Sequence, residues 1–417
     1  MKNILVAITI FMTSLLMSCS KDFIDLDPIS SVSVDRLYQT DKDFQDALTA
    51  VYNAFQTQYQ NHYIFGDIRA DDFWQEIYKG NSWSFSDTFA TTSSDGLMNS
   101  TWQNYYRAIF RINTILLKIA DIDNSIVPNK DRYIAEAKFL RALAYFDLVR
   151  IFGDVPMVTT PLTIEEGYTS GRTDLNVIYD QLIIPDLQAA ENGLPTSYSA
   201  SDIGRPTKGA AKAIMGRVYM TLNRFGLAAS WLMRLVSFIF LRVTTMGYEL
   251  LTDFNAVFDY SNEHHKEYIF DIEYEEGMGE GSLFTNRFLP NFNTMAVFYG
   301  VGGYGDEQMS PTQAYISLFS DDDARKDLTV GVTGGFYDNE GTFLRIPTNT
   351  SQTYTKKYLT SVAAANDSKA NWKVIRYADV ILMYAEALNE NNKTDLAIPY
   401  LNQVRTRSGL EGYPLDM

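Results

Sequence analysis

Cys19 is the only cysteine in a chain of 417 residues. No intramolecular disulfide can form, so packing alone must hold every element in place. The cysteine closes a leader in which Lys2 precedes a largely apolar run, Ile4 to Met17, and then Ser18. This pattern reads as a signal peptide over 1–18 with a lipobox-like end, too short to span a membrane as a helix. Residues 19–40 then form a short acidic tether, lipidated at Cys19 and held to a membrane by acyl chains. An ordinary secretory leader that happens to contain a cysteine is the plainer alternative.

With 46% hydrophobic residues the chain can bury a large core, read here as a single domain over 41–417. The formal charge of -16 argues against nucleic acid as a partner and against adsorption to anionic lipid without an anchor. Tyr 27, Phe 25 and Trp 5 are more rings than such a core obviously needs. Surface rings suit sugar faces or protein partners.

Apolar spacing predicts helices over about Asp41 to Tyr59, behind a Thr40-x-x-Asp43 cap, over Asn99 to Ala120, and over Lys130 to Phe152. The last stops at Gly153-Asp154-Val155-Pro156, and Arg141 and Arg150 fall outside its stripe. A fourth helix, Asp174 to Glu191, is kinked or split by Pro185, and a fifth begins at Pro206 with Gly209, Ala210, Ala213 and Gly216 as a close-packing face. Trp102 lies on a helical stripe and is assigned to the core. These helices make an N-terminal part over about 41–247. Residues 248–368 read as short strands and long loops, Glu267 to Ile272 among the strands. Helices resume over 369–410, from about Trp372, with Thr394 capping the last one, which ends near Gly409.

A weak internal repeat links Val218 to Leu232 with Met383 to Leu401. Each half reads as a helix, a polar turn, and a helix with inward alanines. That is tetratricopeptide-like logic, and it makes the fold class mostly α, a helical-hairpin scaffold with long loops and a few short strands.

Several strings recur in order: AEAKFLRALAYFDLV over 135–149 with FGDVP over 152–156, GRPTKGAA from Gly204, SPT from Ser310, RYADVILMYAEA from Arg376, and LNQVRTR from Leu401. Together with the lipobox they resemble the SusD/RagB family of outer-membrane nutrient-binding lipoproteins, over nearly the whole chain. The resemblance implies capture of a glycan without catalysis, at the outer membrane facing outward. It also implies a SusC-like TonB-dependent transporter as partner and no cofactor. The chain departs from the family pattern twice. It stops at Met417 where the family continues into further helices, which would leave apolar helix faces exposed. Trp231 to Val243 is also more uniformly apolar than the amphipathic helix expected there.

Sugar capture needs flat rings beside amide, carboxylate or guanidinium groups, because pyranose faces carry CH groups and their edges hydroxyls. Two segments supply this mixture. Asp67 to Phe89 offers Trp74, Trp83, Arg69, Asp71 and Asn81, and Asn291 to Tyr304 offers Phe292, Tyr299 and Tyr304. Core duty is the competing role for each ring.

Enzymatic chemistry finds little material. Asp71-Asp72 and Glu275-Glu276 are sequence neighbours that cannot flank a glycosidic bond, and His264-His265 lacks the i, i+4 spacing of a zinc pair. Asp321-Asp322-Asp323 could hold structural calcium but reads better as a helix-end charge cluster. The rivals to glycan capture are a scaffold that binds a protein or peptide and, more remotely, a lipid-anchored glycoside hydrolase.

Overall fold

A computed structural model describes residues 37–75, 82–236, 246–277, 279–291, 294–332, 335–337, 342–345 and 353–414. Cys19, the leader and most of the tether lie outside them. Among the described residues no helix is long and apolar enough to cross a membrane.

Eight longer helices form the spine: α1 (Asp41–Tyr59), α2 (Gly96–Ile119), α3 (Lys130–Phe152), α4 (Ile184–Gly193), α5 (Lys208–Thr221), α6 (Phe225–Leu232), α7 (Tyr377–Glu390) and α8 (Thr394–Arg407). Each packs on the next in chain order, so the spine is a series of antiparallel hairpins. The repeated halves seen in the sequence are the hairpins α5–α6 and α7–α8, and α6 lies directly against α7. Residues 233–376 therefore leave the spine and return to it as one insertion.

Local chemistry sets the helix ends. Thr40 and Asp43 form a reciprocal capping box at α1, with Thr40 N donating to Asp43 Oδ2 at 2.8 Å. Asp95 caps α2 by accepting from Leu97 N at 2.9 Å, so that helix starts three residues before the apolar stripe suggests. Near Pro185 the expected helix changes its winding without a break in the chain of helical residues. The proline sits in the first turn of α4, after a single π turn at Tyr179–Ile183. The fifth helix corrects its expected start, because Thr207 is the N-cap and Pro206 lies just outside it. Gly216 faces Leu232 so closely that a Cβ would clash, which is how α6 lies tight against α5, and Gly209 leaves the same room for Tyr248.

Two further boundaries differ from the sequence reading. Trp372–Arg376 is a strand, and the helix begins only at Tyr377, because this segment pairs antiparallel with Tyr268–Ile272. Thr394 is the first helical residue rather than the cap, and its hydroxyl donates to Asn389 Oδ1 at 2.9 Å across the hairpin turn.

The strands are β1 (Phe73–Trp74), β2 (Tyr268–Ile272), β3 (Ser310–Pro311), β4 (Gly335–Tyr337), β5 (Phe343–Arg345) and β6 (Trp372–Arg376), paired as β1–β3, β2–β6 and β4–β5, all antiparallel. The β2–β6 pair docks the insertion on α1 and α5. Behind it Phe284, Phe288, Tyr358 and Trp372 form a cluster of rings, with Tyr358 and Trp372 stacked at 5.1 Å. Many of the rings counted in the sequence are spent here and in the helical core. Trp102 packs edge-on against Phe152 at 5.3 Å, as its stripe implies.

The central helix, α3, is buried on nearly every side, which is why Arg141 escapes a stripe analysis. Its guanidinium reaches Asp186 on α4 through Nε at 2.7 Å and Nη2 at 3.0 Å, and Asn113 on α2 through Nη1 at 2.9 Å. Both charged side chains are about nine-tenths buried. Removing one partner of such a pair strands the other charge. Arg141→Met should lower stability by about 3–5 kcal/mol in urea denaturation, and Arg141→Met/Asp186→Leu should recover part of that loss.

Candidate ligand-binding face

The two ring-bearing segments of the sequence meet through their flanks. A π turn at Ile64–Ile68 carries the chain out of the helical core to Arg69 and then to β1, where Trp74 lies opposite Ser310 of β3. Beyond the ladder, Thr312 N donates to Asp72 O at 2.9 Å and Thr312 Oγ1 to Asp71 O at 2.8 Å. Gln75 Nε2 donates to Gln308 O at 3.0 Å, and the Tyr63 hydroxyl bonds the Gln308 side chain. Gln75 N also reaches Asp87 Oδ2 at 3.5 Å, drawing in the short helix Ser82–Asp87. Residues 69–75, 84–89 and 304–312 are thus one unit.

The expected residues divide within it. Tyr304 is 63% exposed, Asp71 is exposed, and Trp74 is half-buried. Tyr304 is held out by Gly305, whose backbone presses on the carbonyls of Leu289 and Pro290 where no Cβ would fit. Tyr299 stands apart, half-buried against the small core of Leu289, Met295 and Phe298. Asn81, Phe292 and the Trp83 side chain lie outside the described residues.

Phe89 was not among the rings singled out from the sequence. It is 68% exposed, and Arg69 Cζ lies 5.4 Å from its ring. Its backbone has φ +54, and Ala90 N donates to Phe85 O at 2.9 Å, closing the helix end that glycine normally closes. A bulky residue in the left-handed region costs of order 1 kcal/mol or more. No residue type at this position signals that geometry. The one clue is a helix end without glycine.

Asp67, in the π turn, has its carboxyl pushed up to about 6, chiefly by burial and further by Asp72, against the pull of Lys357. Burial also draws the Lys357 ammonium down to about 8, with help from Arg376. Asp306 is raised by burial too.

The rejected chemistry is accounted for by specific partners. Asp321 and Asp323 pair with Lys326 and Arg325, both at 2.6 Å, in the helix-end cluster the sequence suggested. His264 Nε2 bonds Glu273 Oε1 at 2.5 Å whereas His265 turns to Val257 O at 3.3 Å, and His62 stacks on Tyr59.

Two family models match the chain: one described as starch-binding and associating with the outer membrane over residues 22–220, and one for the SusD family over 337–417. The chain belongs to the SusD family. A SusD-like protein of Formosa agariphila, P25, is 26% identical, the match covering 97% of this chain and 81% of that protein. Among solved structures, a laminarin-binding SusD-like protein is 26% identical, with a TM-score of 0.74, over 90% of this chain and 86% of its own. A surface glycan-binding protein from Bacteroides thetaiotaomicron, in complex with laminarihexaose, shares the fold at 18% identity, with a TM-score of 0.73 over 91% and 85%.

Because the Asp67 carboxyl is raised above its unfolded value of 3.8, the folded state binds the proton more tightly. The resulting penalty is absent below about pH 4, grows as pH rises towards 6, and is complete above it. Asp67→Asn removes it, so the melting temperature of the variant should rise relative to the parent from about pH 4 to pH 7. A pH-independent gap would contradict this.

Proposed function

We propose that this SusD-family chain captures an extracellular polysaccharide at the unit formed by residues 69–75, 84–89 and 304–312 and passes it, uncleaved, to a SusC-like TonB-dependent transporter. One observation carries the reading. Of the few strongly exposed aromatic side chains among the described residues, Phe89 and Tyr304 both rise from this hydrogen-bonded unit. Rings on a rigid mount can stack on pyranose faces with little loss of side-chain entropy, and Arg69, Asp71 and nearby backbone groups can meet the hydroxyls. A β-1,3-glucan is the first ligand to test, because a relative sharing the fold at 26% identity is described as laminarin-binding.

Anchoring through Cys19 and delivery to the barrel belong to the same proposal. They draw support from the lipobox and from the outer-membrane association of the matched family. The peptide-binding alternative rests on an apolar groove of about 440 Å³ between α7 and α8, lined by Leu382, Ala385, Ala397, Ile398 and Leu401.

In affinity electrophoresis on immobilised glucans, Phe89→Ala and Tyr304→Ala should each weaken retention about tenfold, a loss typical of one stacking ring. Co-purification with the transporter should persist in both variants. Retention unchanged by the double variant would remove the face from consideration and favour the groove. A Cys19→Ala protein should partition into the soluble fraction.

A further inference from the structure

We infer that the face selects neutral glycans and turns away polyanionic ones. The inference rests on the binding reading above and concerns the charge of what the face admits.

The unit is strongly acidic. Asp71 is exposed, and Asp72, Asp87 and Asp306 are partly exposed around the segments that carry Phe89 and Tyr304. None of the four forms an ion pair with a cation among the described residues. Arg287 acts on Asp306 electrostatically without pairing with it, and the other cations nearby lie against rings. Arg69 lies under the Phe89 ring. Arg287 is turned inward, donating to the Gln60 carbonyl and to Asn61 Oδ1 at 2.9 Å. Lys357 lies 5.7 Å from the Phe258 ring on the inner side. Carboxylates in such excess within a Debye length of a bound chain repel its charges, and like-charge juxtaposition is a strong source of discrimination between partners. A neutral sugar meets the same carboxylates as hydrogen-bond acceptors for its hydroxyls. One set of side chains therefore attracts one class and repels the other. The overall charge of -16 acts in the same sense at longer range.

The test compares neutral laminarin with carboxymethylated laminarin of the same length, titrated into the mature protein by calorimetry at low salt and at about 0.3 M salt. Binding of the charged form should be at least about tenfold weaker at low salt, and the gap should narrow as salt rises. Asp71→Asn/Asp72→Asn/Asp306→Asn should narrow it further, the readout being the ratio of the two affinities rather than either one. Equal binding of both forms at low salt would overturn the charge inference and leave glycan capture standing. If laminarin does not bind, the same comparison is made with whichever neutral glycan an electrophoretic panel identifies. If no glycan in the panel is retained, capture itself fails and the charge inference fails with it. The salt comparison needs no variant, so it stands even where the triple substitution impairs folding.

Discussion

The architecture depends on a constraint of connectivity: α6 and α7 pack against each other although residues 233–376 lie between them. A long excursion can start and finish at one place only if its two ends are tied together. The β2–β6 ladder makes that tie, and Glu267 reinforces it. Its carboxylate, fully buried, accepts from Arg376 Nη1 at 2.7 Å and Arg407 Nη1 at 2.9 Å, joining the start of β2, the end of β6 and the last helix. Two guanidinium groups on one buried carboxylate satisfy the desolvation demand that a single pair often leaves unmet. Without that clasp, closing the excursion would be opposed by loop entropy alone.

Much of the spine was legible because helical periodicity and capping are local. The Thr40 to Asp43 box, the stop at Gly153 and the change of winding near Pro185 are decided within a turn or two of chain. The misreadings arose where distant partners decide the outcome. Trp372 to Arg376 has spacing compatible with a helix but is recruited as a strand by residues about a hundred positions away. Arg141 fell outside its stripe because α3 is buried on nearly every side, and its partner Asp186 sits on the next helix.

The candidate face was legible as a region and less so as residues. Ring-rich segments without helical period marked both stretches, and Tyr304 stands exposed there. A surplus of rings is a poor guide to any individual one, since the same composition builds the Phe284, Tyr358 and Trp372 cluster. Phe89 shows what sequence reading lacks. Its prominence comes from a left-handed backbone that only the folded helix end imposes.

The two family models leave out residues 221–336, the stretch that holds α6 and most of the excursion. Since the spine closes behind that excursion, the loops form a cassette on a finished frame. Changes in their length or composition can alter the half of the proposed face at residues 304–312 while the helices keep their neighbours. A lineage could refit that part of the surface without redesigning the helices behind it.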